Sequence, residues 1–125
     1  MLCPVLRSLP VLLLPLLIGY PASAGPADVV AVKVTKSSPG VYGFAVTVRH
    51  GDTGWEHYAD AWEVVAPDGK VLATRVLAHP HEHEQPFTRS LSGVAVPAGT
   101  MKVRLRAHDK VHGLGGRELE VALPR

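Results

Sequence analysis

The segment from His79 to His83 reads His-Pro-His-Glu-His, three histidines at alternate positions. Neutral imidazole is a common protein ligand for Zn²⁺ and Cu²⁺. In an extended chain, side chains two residues apart point to the same side. The rings of His79, His81 and His83 would then face one ion. The spacing therefore predicts a metal site in which these three histidines are the leading ligands.

The other four histidines are candidates to complete the coordination shell across the loops. We place His57 and His112 next, and His50 and His108 last, because His50 could cap the core and His108 ends the polar face of a strand. Nearby carboxylates could supply a fourth ligand or orient a ring by accepting its N–H. These carboxylates are Glu56, Asp60, Glu82, Glu84 and Asp109. The alternative is a solvated loop of histidines and acids that binds no ion.

Residues 1–24 have the features of a secretory signal peptide. Arg7 precedes an apolar run from Val11 to Ile18, and Ala22-Ser23-Ala24 follows as a small-x-small cleavage site. The apolar run is too short to span a membrane as a helix, and prolines interrupt it. We therefore predict a mature domain of residues 25–125 that is periplasmic or secreted and has no membrane span.

The composition of this mature domain excludes several classes of protein. The only cysteine of the chain, Cys3, is in the predicted signal peptide and is badly placed for lipid attachment, so blue-copper, zinc–cysteine and iron–sulfur sites are excluded. Met101 is the only mature methionine, so Zn²⁺ or Cu²⁺ is favoured over Cu⁺. The predicted N-terminus, Gly25-Pro26-Ala27, has no histidine for an amino-terminal copper site. Twelve basic against eleven acidic mature residues argue against nucleic-acid binding.

Short runs of alternating apolar and polar residues recur about every ten residues, separated by Gly, Pro and Asp. This pattern is typical of an all-β sandwich or barrel, and no stretch has a helical period. In the clearest run Met101, Val103, Leu105 and Ala107 alternate with polar residues and are expected to face the core. We predict a single seven-stranded β-sandwich. Its strands are 29–35, 41–49, 61–66, 71–77, 87–94, 101–108 and 118–123.

Seven strands in about 100 residues, with Trp62 on the third, resemble the immunoglobulin or fibronectin type III sandwich. Residues 55–60 (Trp-Glu-His-Tyr-Ala-Asp) and residues 79–90 (His-Pro-His-Glu-His-Glu-Gln-Pro-Phe-Thr-Arg-Ser) also resemble segments of small secreted bacterial proteins without an assigned function. The first resemblance implies the sandwich fold, and the second implies no activity.

In such a sandwich the chain runs up and down, so the loops after strands two, four and six lie at one end. These loops and the adjoining strand ends carry all seven histidines, and the opposite end carries none. We call this end the histidine pole.

Three other side chains have expected positions. Trp62 should be buried in the core. Trp55, in a loop of the histidine pole, should pack on that pole or form part of a binding surface. Arg89 should be partly inward and pair with a carboxylate such as Glu63 or Asp60.

Together these features predict a periplasmic or secreted metal-binding protein that acts as a carrier, buffer or sensor for Cu²⁺ or Zn²⁺. The partner is then the metal ion, with a periplasmic protein as a further candidate. The alternative is a protein- or glycan-interaction module with pH-sensitive histidine loops. We predict no enzymatic activity, because the sequence has no His-Glu-x-x-His or other catalytic spacing and short loops leave little room for a deep pocket.

Overall fold

The computed structural model describes residues 25–125, so the predicted signal peptide lies outside the described residues. Seven strands are present, each ending within three residues of its predicted bounds, and the all-β class is confirmed. The strands are β1 Asp28–Ser38, β2 Val41–Arg49, β3 Ala59–Val65, β4 Val71–Val76, β5 Phe87–Ala95, β6 Lys102–Asp109 and β7 Leu119–Ala122. In this described part of the chain, no helix has the length and apolarity needed to cross a membrane.

The strands form two antiparallel sheets that bury a common core. One sheet has the order β1-β2-β5, and the other has the order β4-β3-β6-β7. Trp62 is fully buried between them, as predicted, together with Phe44, Phe87 and Leu105. The expected inward position of Met101 is wrong: β6 begins one residue later, and the Met101 side chain is 71% exposed.

In one strand of each sheet, the alternation of core-facing positions continues past the last apolar residue. In β2 the buried side chains are Tyr42, Phe44, Val46 and Val48, and the next position of the same parity is His50. In β6 they are Val103, Leu105 and Ala107, and the next is Asp109. His50 and Asp109 are therefore buried at 3% and 0% exposure, because they continue the core-facing positions of β2 and β6 by one step.

The strand directions place the connecting segments as predicted. Antiparallel pairing puts the connections 50–58, 77–86 and 110–118 at one end of the sandwich and the connections 39–40, 66–70 and 96–101 at the other. All seven histidines lie on the first set or on the adjoining end of β6. The histidine pole is therefore present in the structure.

Candidate metal centre

The centre of the histidine pole is a group formed by His50, His57 and Asp109, which we call the interior cluster. One potential ligand atom from each residue lies within 4.8 Å of the other two. His50 follows β2 in the three-stranded sheet, and Asp109 ends β6 in the four-stranded sheet. The cluster therefore closes the open end of the core between the two sheets.

His57 reaches the cluster from a tight turn in the segment that crosses between the sheets. Gly54 and His57 form an isolated β-bridge, in which the His57 N–H donates to the Gly54 carbonyl at 3.2 Å. Gly54 has a φ of +139°, a conformation that is strained for residues with a side chain. The imidazole of His57 packs edge-on against that of His50, with ring centroids 4.7 Å apart. The turn thus holds His57 between His50 and Asp109.

Each member of the interior cluster has a buried polar atom without a hydrogen-bond partner. These atoms are His50 Nε2, His57 Nε2 and Asp109 Oδ2. His57 Nε2 lies 3.2 Å from Asp109 Oδ1 but has no hydrogen-bond geometry to it. Buried polar atoms normally find partners, so an unpaired atom in each of the three members of this group needs an explanation. Zn²⁺ holds nitrogen and oxygen ligands about 2.0–2.2 Å away, and these three side chains offer both kinds of ligand atom.

The carboxylate of Asp109 supplies the negative charge of the site. Its Oδ1 accepts the backbone N–H groups of Val111 and His112 at 2.9 and 2.7 Å. Burial favours the protonated form, but these hydrogen bonds, the His112 side chain and the nearby His50 outweigh it, so the pKa of Asp109 lies below its ordinary value. Asp109 is therefore ionised at neutral pH and gives the cluster a negative charge.

His112 stands at the solvent side of the interior cluster. Its Nδ1 lies 3.2 Å from Asp109 Oδ1, and its ring centroid is 5.1 Å from that of His57. The His112 side chain is 36% exposed, whereas that of His50 is 1% exposed. His112 therefore contacts Asp109 from the solvent side but does not belong to the three-residue group.

A second carboxylate, that of Asp52, contacts the cluster at His50 Nδ1. Its Oδ1 lies 2.5 Å from His50 Nδ1, while His50 Nε2 has no hydrogen-bond partner. We did not identify Asp52 as a candidate from the sequence. The available signal was its position two residues after His50, within the same turn-rich segment.

The histidine loop, residues 79–83, does not join the interior cluster. The chain bends at residues 79 and 82–84, so the expected extended segment with three aligned rings is wrong. His81 is buried and stacks on Phe87, with ring centroids 3.9 Å apart, and its Nε2 accepts a hydrogen bond from Arg89 at 2.9 Å. Burial, Arg89 and His79 lower the pKa of His81. The neutral ring of His81 therefore supports the loop.

The remaining two histidines of this loop lie on the surface. His79 and His83 are both exposed, and the His79 ring lies 4.6 Å from that of His81. Among residues 25–125, the group of at least three potential ligands is the interior cluster alone. Metal coordination by His79 and His83 stays a prediction.

Two ion pairs differ from the sequence expectation. Asp60 lies 2.5 Å from His108 Nδ1, and Glu63 pairs with Arg106 at 3.0 Å, so neither carboxylate is the partner of Arg89. Arg89 instead lies 3.4 Å from Glu84. His108 is thus paired on the outer face of β6, outside the interior cluster.

Trp55 projects from the turn that carries His57. It is 66% exposed and touches Tyr58 edge-on, with ring centroids 5.7 Å apart. Val111 and Leu114, in the segment that carries His112, are also exposed. The interior cluster is therefore bordered by apolar side chains on two loops.

A curated protein is similar in sequence to most of this chain. Over 95 residues the chain is 41% identical to a protein of Halomicrobium mukohataei named "Putative lipoprotein". The match covers 76% of this chain and 46% of the relative, so the chain spans about half of that protein's length. No family model and no solved structure matches the chain. The resemblance to the immunoglobulin or fibronectin type III sandwich therefore stays a prediction.

Proposed function

We propose that the protein reversibly binds Zn²⁺ or Cu²⁺ at the interior cluster and serves as a carrier, buffer or sensor for that ion, without enzymatic activity. The observation that carries the proposal is the grouping of His50, His57 and Asp109, each of which has a buried polar atom without a hydrogen-bond partner, namely His50 Nε2, His57 Nε2 and Asp109 Oδ2. A bound cation would satisfy all three at once. The ionised Asp109 would offset part of its charge.

The donor set favours these two ions. Two imidazoles, a carboxylate and the neighbouring His112 make a site of nitrogen and oxygen ligands, which suits Zn²⁺ and Cu²⁺. Cu²⁺ is expected to bind more tightly than Zn²⁺, in accordance with the general affinity order of divalent metals. Two histidines and one carboxylate with open positions also bind Fe²⁺ in some enzymes, so Fe²⁺ belongs in the test. The exposed position of His112 supports exchange of the ion with solvent or a partner.

We also propose that the protein works in the periplasm or outside the cell. Two observations support this location: the predicted signal peptide and the lipoprotein name of the relative.

The test is a competition titration of the purified, tag-free protein with Zn²⁺, Cu²⁺ and Fe²⁺, combined with thermal unfolding in EDTA and in each metal. Ligand present at 100 times its dissociation constant stabilises the folded state by about 2.7 kcal/mol. We expect Zn²⁺ and Cu²⁺ to raise the midpoint. His57→Ala should remove most of this rise, and His83→Ala, the matched control from the exposed loop, should keep it.

Two results would contradict the proposal. The first is the absence of a midpoint shift at millimolar Zn²⁺ and Cu²⁺, and the second is an equal loss of the shift in His57→Ala and His83→Ala. Stronger binding of Fe²⁺ than of Cu²⁺ would retain the site but reject our choice of metal.

An interaction module is the second candidate, favoured by the exposed Trp55, Val111 and Leu114 around the pole. Exposed apolar side chains of this kind are enriched at protein-binding surfaces. In this case metals and EDTA would leave the unfolding midpoint unchanged, while Trp55→Ala would abolish partner capture without changing the midpoint.

A further inference from the structure

We infer that Asp52 is the positioning residue of the proposed metal site and that it directs His50 Nε2 towards the ion. The inference rests on the proposed function. Asp52 is 7% exposed, and its Oδ1 lies 2.5 Å from His50 Nδ1. This carboxylate–histidine contact is the arrangement that commonly orients metal-binding histidines in proteins.

Three further hydrogen bonds hold the Asp52 carboxylate and its backbone in place. Oδ1 accepts the N–H of Ala59 at 3.0 Å, and Oδ2 accepts the N–H of His81 at 2.7 Å. The backbone N–H of Asp52 donates to the carbonyl of His50 at 2.9 Å. Asp52 thus joins the start of β3, the histidine loop and the end of β2. A carboxylate held by three segments cannot swing away without breaking bonds in each.

The contact determines which nitrogen of His50 is free. An ionised carboxylate only accepts hydrogen bonds, so His50 Nδ1 must carry the proton. In the neutral ring Nε2 then has a free lone pair, and this buried atom has no hydrogen-bond partner. Hydrogen bonding to the carboxylate also raises the basicity of the ligand nitrogen. Asp52 would therefore act on the metal through His50 without touching it.

The chain offers a matched control for this contact. His108 Nδ1 lies 2.5 Å from Asp60 Oδ1, the same pair of atoms at the same distance. Asp60 and His108 lie on paired strands, β3 and β6, and neither belongs to the interior cluster. Asp60→Asn therefore removes the same kind of interaction at a place where metal binding should not depend on it.

The experiment measures Zn²⁺ affinity by competition for the wild type, Asp52→Asn and Asp60→Asn. Loss of a partner that orients a ligand typically lowers metal affinity about 10- to 100-fold, and we expect this for Asp52→Asn. Asp60→Asn should stay within about twofold of the wild type. An unchanged affinity in Asp52→Asn, with a wild type that binds Zn²⁺, would overturn the inference and leave the proposed function intact.

A double-mutant cycle distinguishes a positioning role of Asp52 from a general loss of structure in the Asp52 variant. It measures Cu²⁺ affinity in the wild type, Asp52→Asn, His50→Gln and the double variant. If Asp52 acts through His50, Asp52→Asn should have almost no effect once His50 is Gln. An equal loss in both backgrounds would contradict the inference, because it would mean that Asp52 merely supports the fold.

A measurement on the wild type covers the case in which Asp52→Asn does not fold. Long-range ¹H–¹⁵N NMR spectra of the metal-free protein report which nitrogen of His50 carries the proton. We expect the proton on Nδ1. A proton on Nε2 in the neutral ring would overturn the inference, even if the metal titrations confirm the proposed function.

Discussion

The interior cluster and the histidine loop lie at the same pole but differ in what surrounds their nitrogen atoms. In the cluster, His50 Nε2 and His57 Nε2 are buried beside an ionised carboxylate and have no partner. In the loop, His81 Nε2 accepts a hydrogen bond from Arg89, one buried nitrogen (His81 Nδ1) has no partner, and the rings of His79 and His83 are exposed. Imidazoles alone therefore do not make a candidate metal site.

The difference follows from how each group is supported. His50 directly follows β2 and Asp109 ends β6 in the opposite sheet, so the sandwich itself sets their separation. The loop is attached to the core mainly through the stacking of His81 on Phe87 and the bond from its backbone N–H to Asp52. A site on strand ends is held more precisely than one on a loop. The following predictions test this contrast, starting with the largest effect.

Removal of the Asp109 carboxylate should affect both stability and metal binding. Asp109→Ala leaves the N–H groups of Val111 and His112 without their acceptor, which should cost about 2 kcal/mol in EDTA. The variant should also lose most of its Zn²⁺ affinity. Glu84→Ala, at the exposed pair with Arg89, should cost less than about 1 kcal/mol. Urea unfolding measures the stability, and competition titration measures the Zn²⁺ affinity. Similar losses in Asp109→Ala and Glu84→Ala would contradict the difference between the interior cluster and the histidine loop.

Replacement of His81 should lower the stability of the metal-free protein and leave its Zn²⁺ affinity nearly unchanged. His81→Ala removes the stack on Phe87 and the bond from Arg89, so we expect it to destabilise the metal-free protein by about 1–2 kcal/mol. Its Zn²⁺ affinity should stay within about twofold of the wild type, because the backbone N–H to Asp52 is retained. A loss of affinity as large as that of His57→Ala would instead make the His81 ring part of the site.

The sequence was sufficient to predict the fold because strand alternation is a local signal. The seven strands follow from apolar residues at every second position, and the up-and-down path of the chain then brings all the histidines to one end. Trp62 was correctly placed in the core by its alternation with Val64. Met101 was misplaced because alternation does not indicate the residue at which a strand begins.

The candidate metal ligands are harder to predict than the strands, because His-x-His-x-His spacing aligns three rings only if the segment is extended. The same alternation that predicted the strands, continued by one step, would have pointed to His50 after Val48 and to Asp109 after Ala107. His57 and Asp52 depend on a turn and on contacts between distant segments. Such contacts are set by tertiary packing and have no period in the sequence.

Acidification should lower the stability of the metal-free protein because of the low pKa of His81. Because its folded-state pKa lies below the ordinary value of about 6.5, the unfolded chain binds the proton first as the pH falls. The contribution of His81 to stability is therefore complete above about pH 6.5 and is lost as the pH falls towards its folded-state pKa.

The matched variant for this effect is His81→Phe, which keeps a ring to stack on Phe87 but cannot titrate. We expect the wild type to lose more stability than His81→Phe between pH 7.5 and pH 5.0, as measured by urea unfolding in EDTA. The other six histidines are common to both proteins, so the comparison reports the titration of His81 together with its coupling to His79. Equal losses would show that the His81 pKa is not lowered in the folded protein.

The smallest effect should come from His79, which contributes to the low pKa of its neighbour. Burial and Arg89 are the larger causes, and the charge of His79, whose ring is 4.6 Å from that of His81, adds to them. His79→Ala should therefore move the pKa of His81 a small distance back towards its ordinary value. The pH titration of the His81 ring protons by NMR measures this change directly, with His83→Ala as the control. A pKa of His81 that is the same in His79→Ala and the wild type, or that changes equally in His83→Ala, would mean that the two rings are not coupled and that the loop holds His79 farther from His81 in solution.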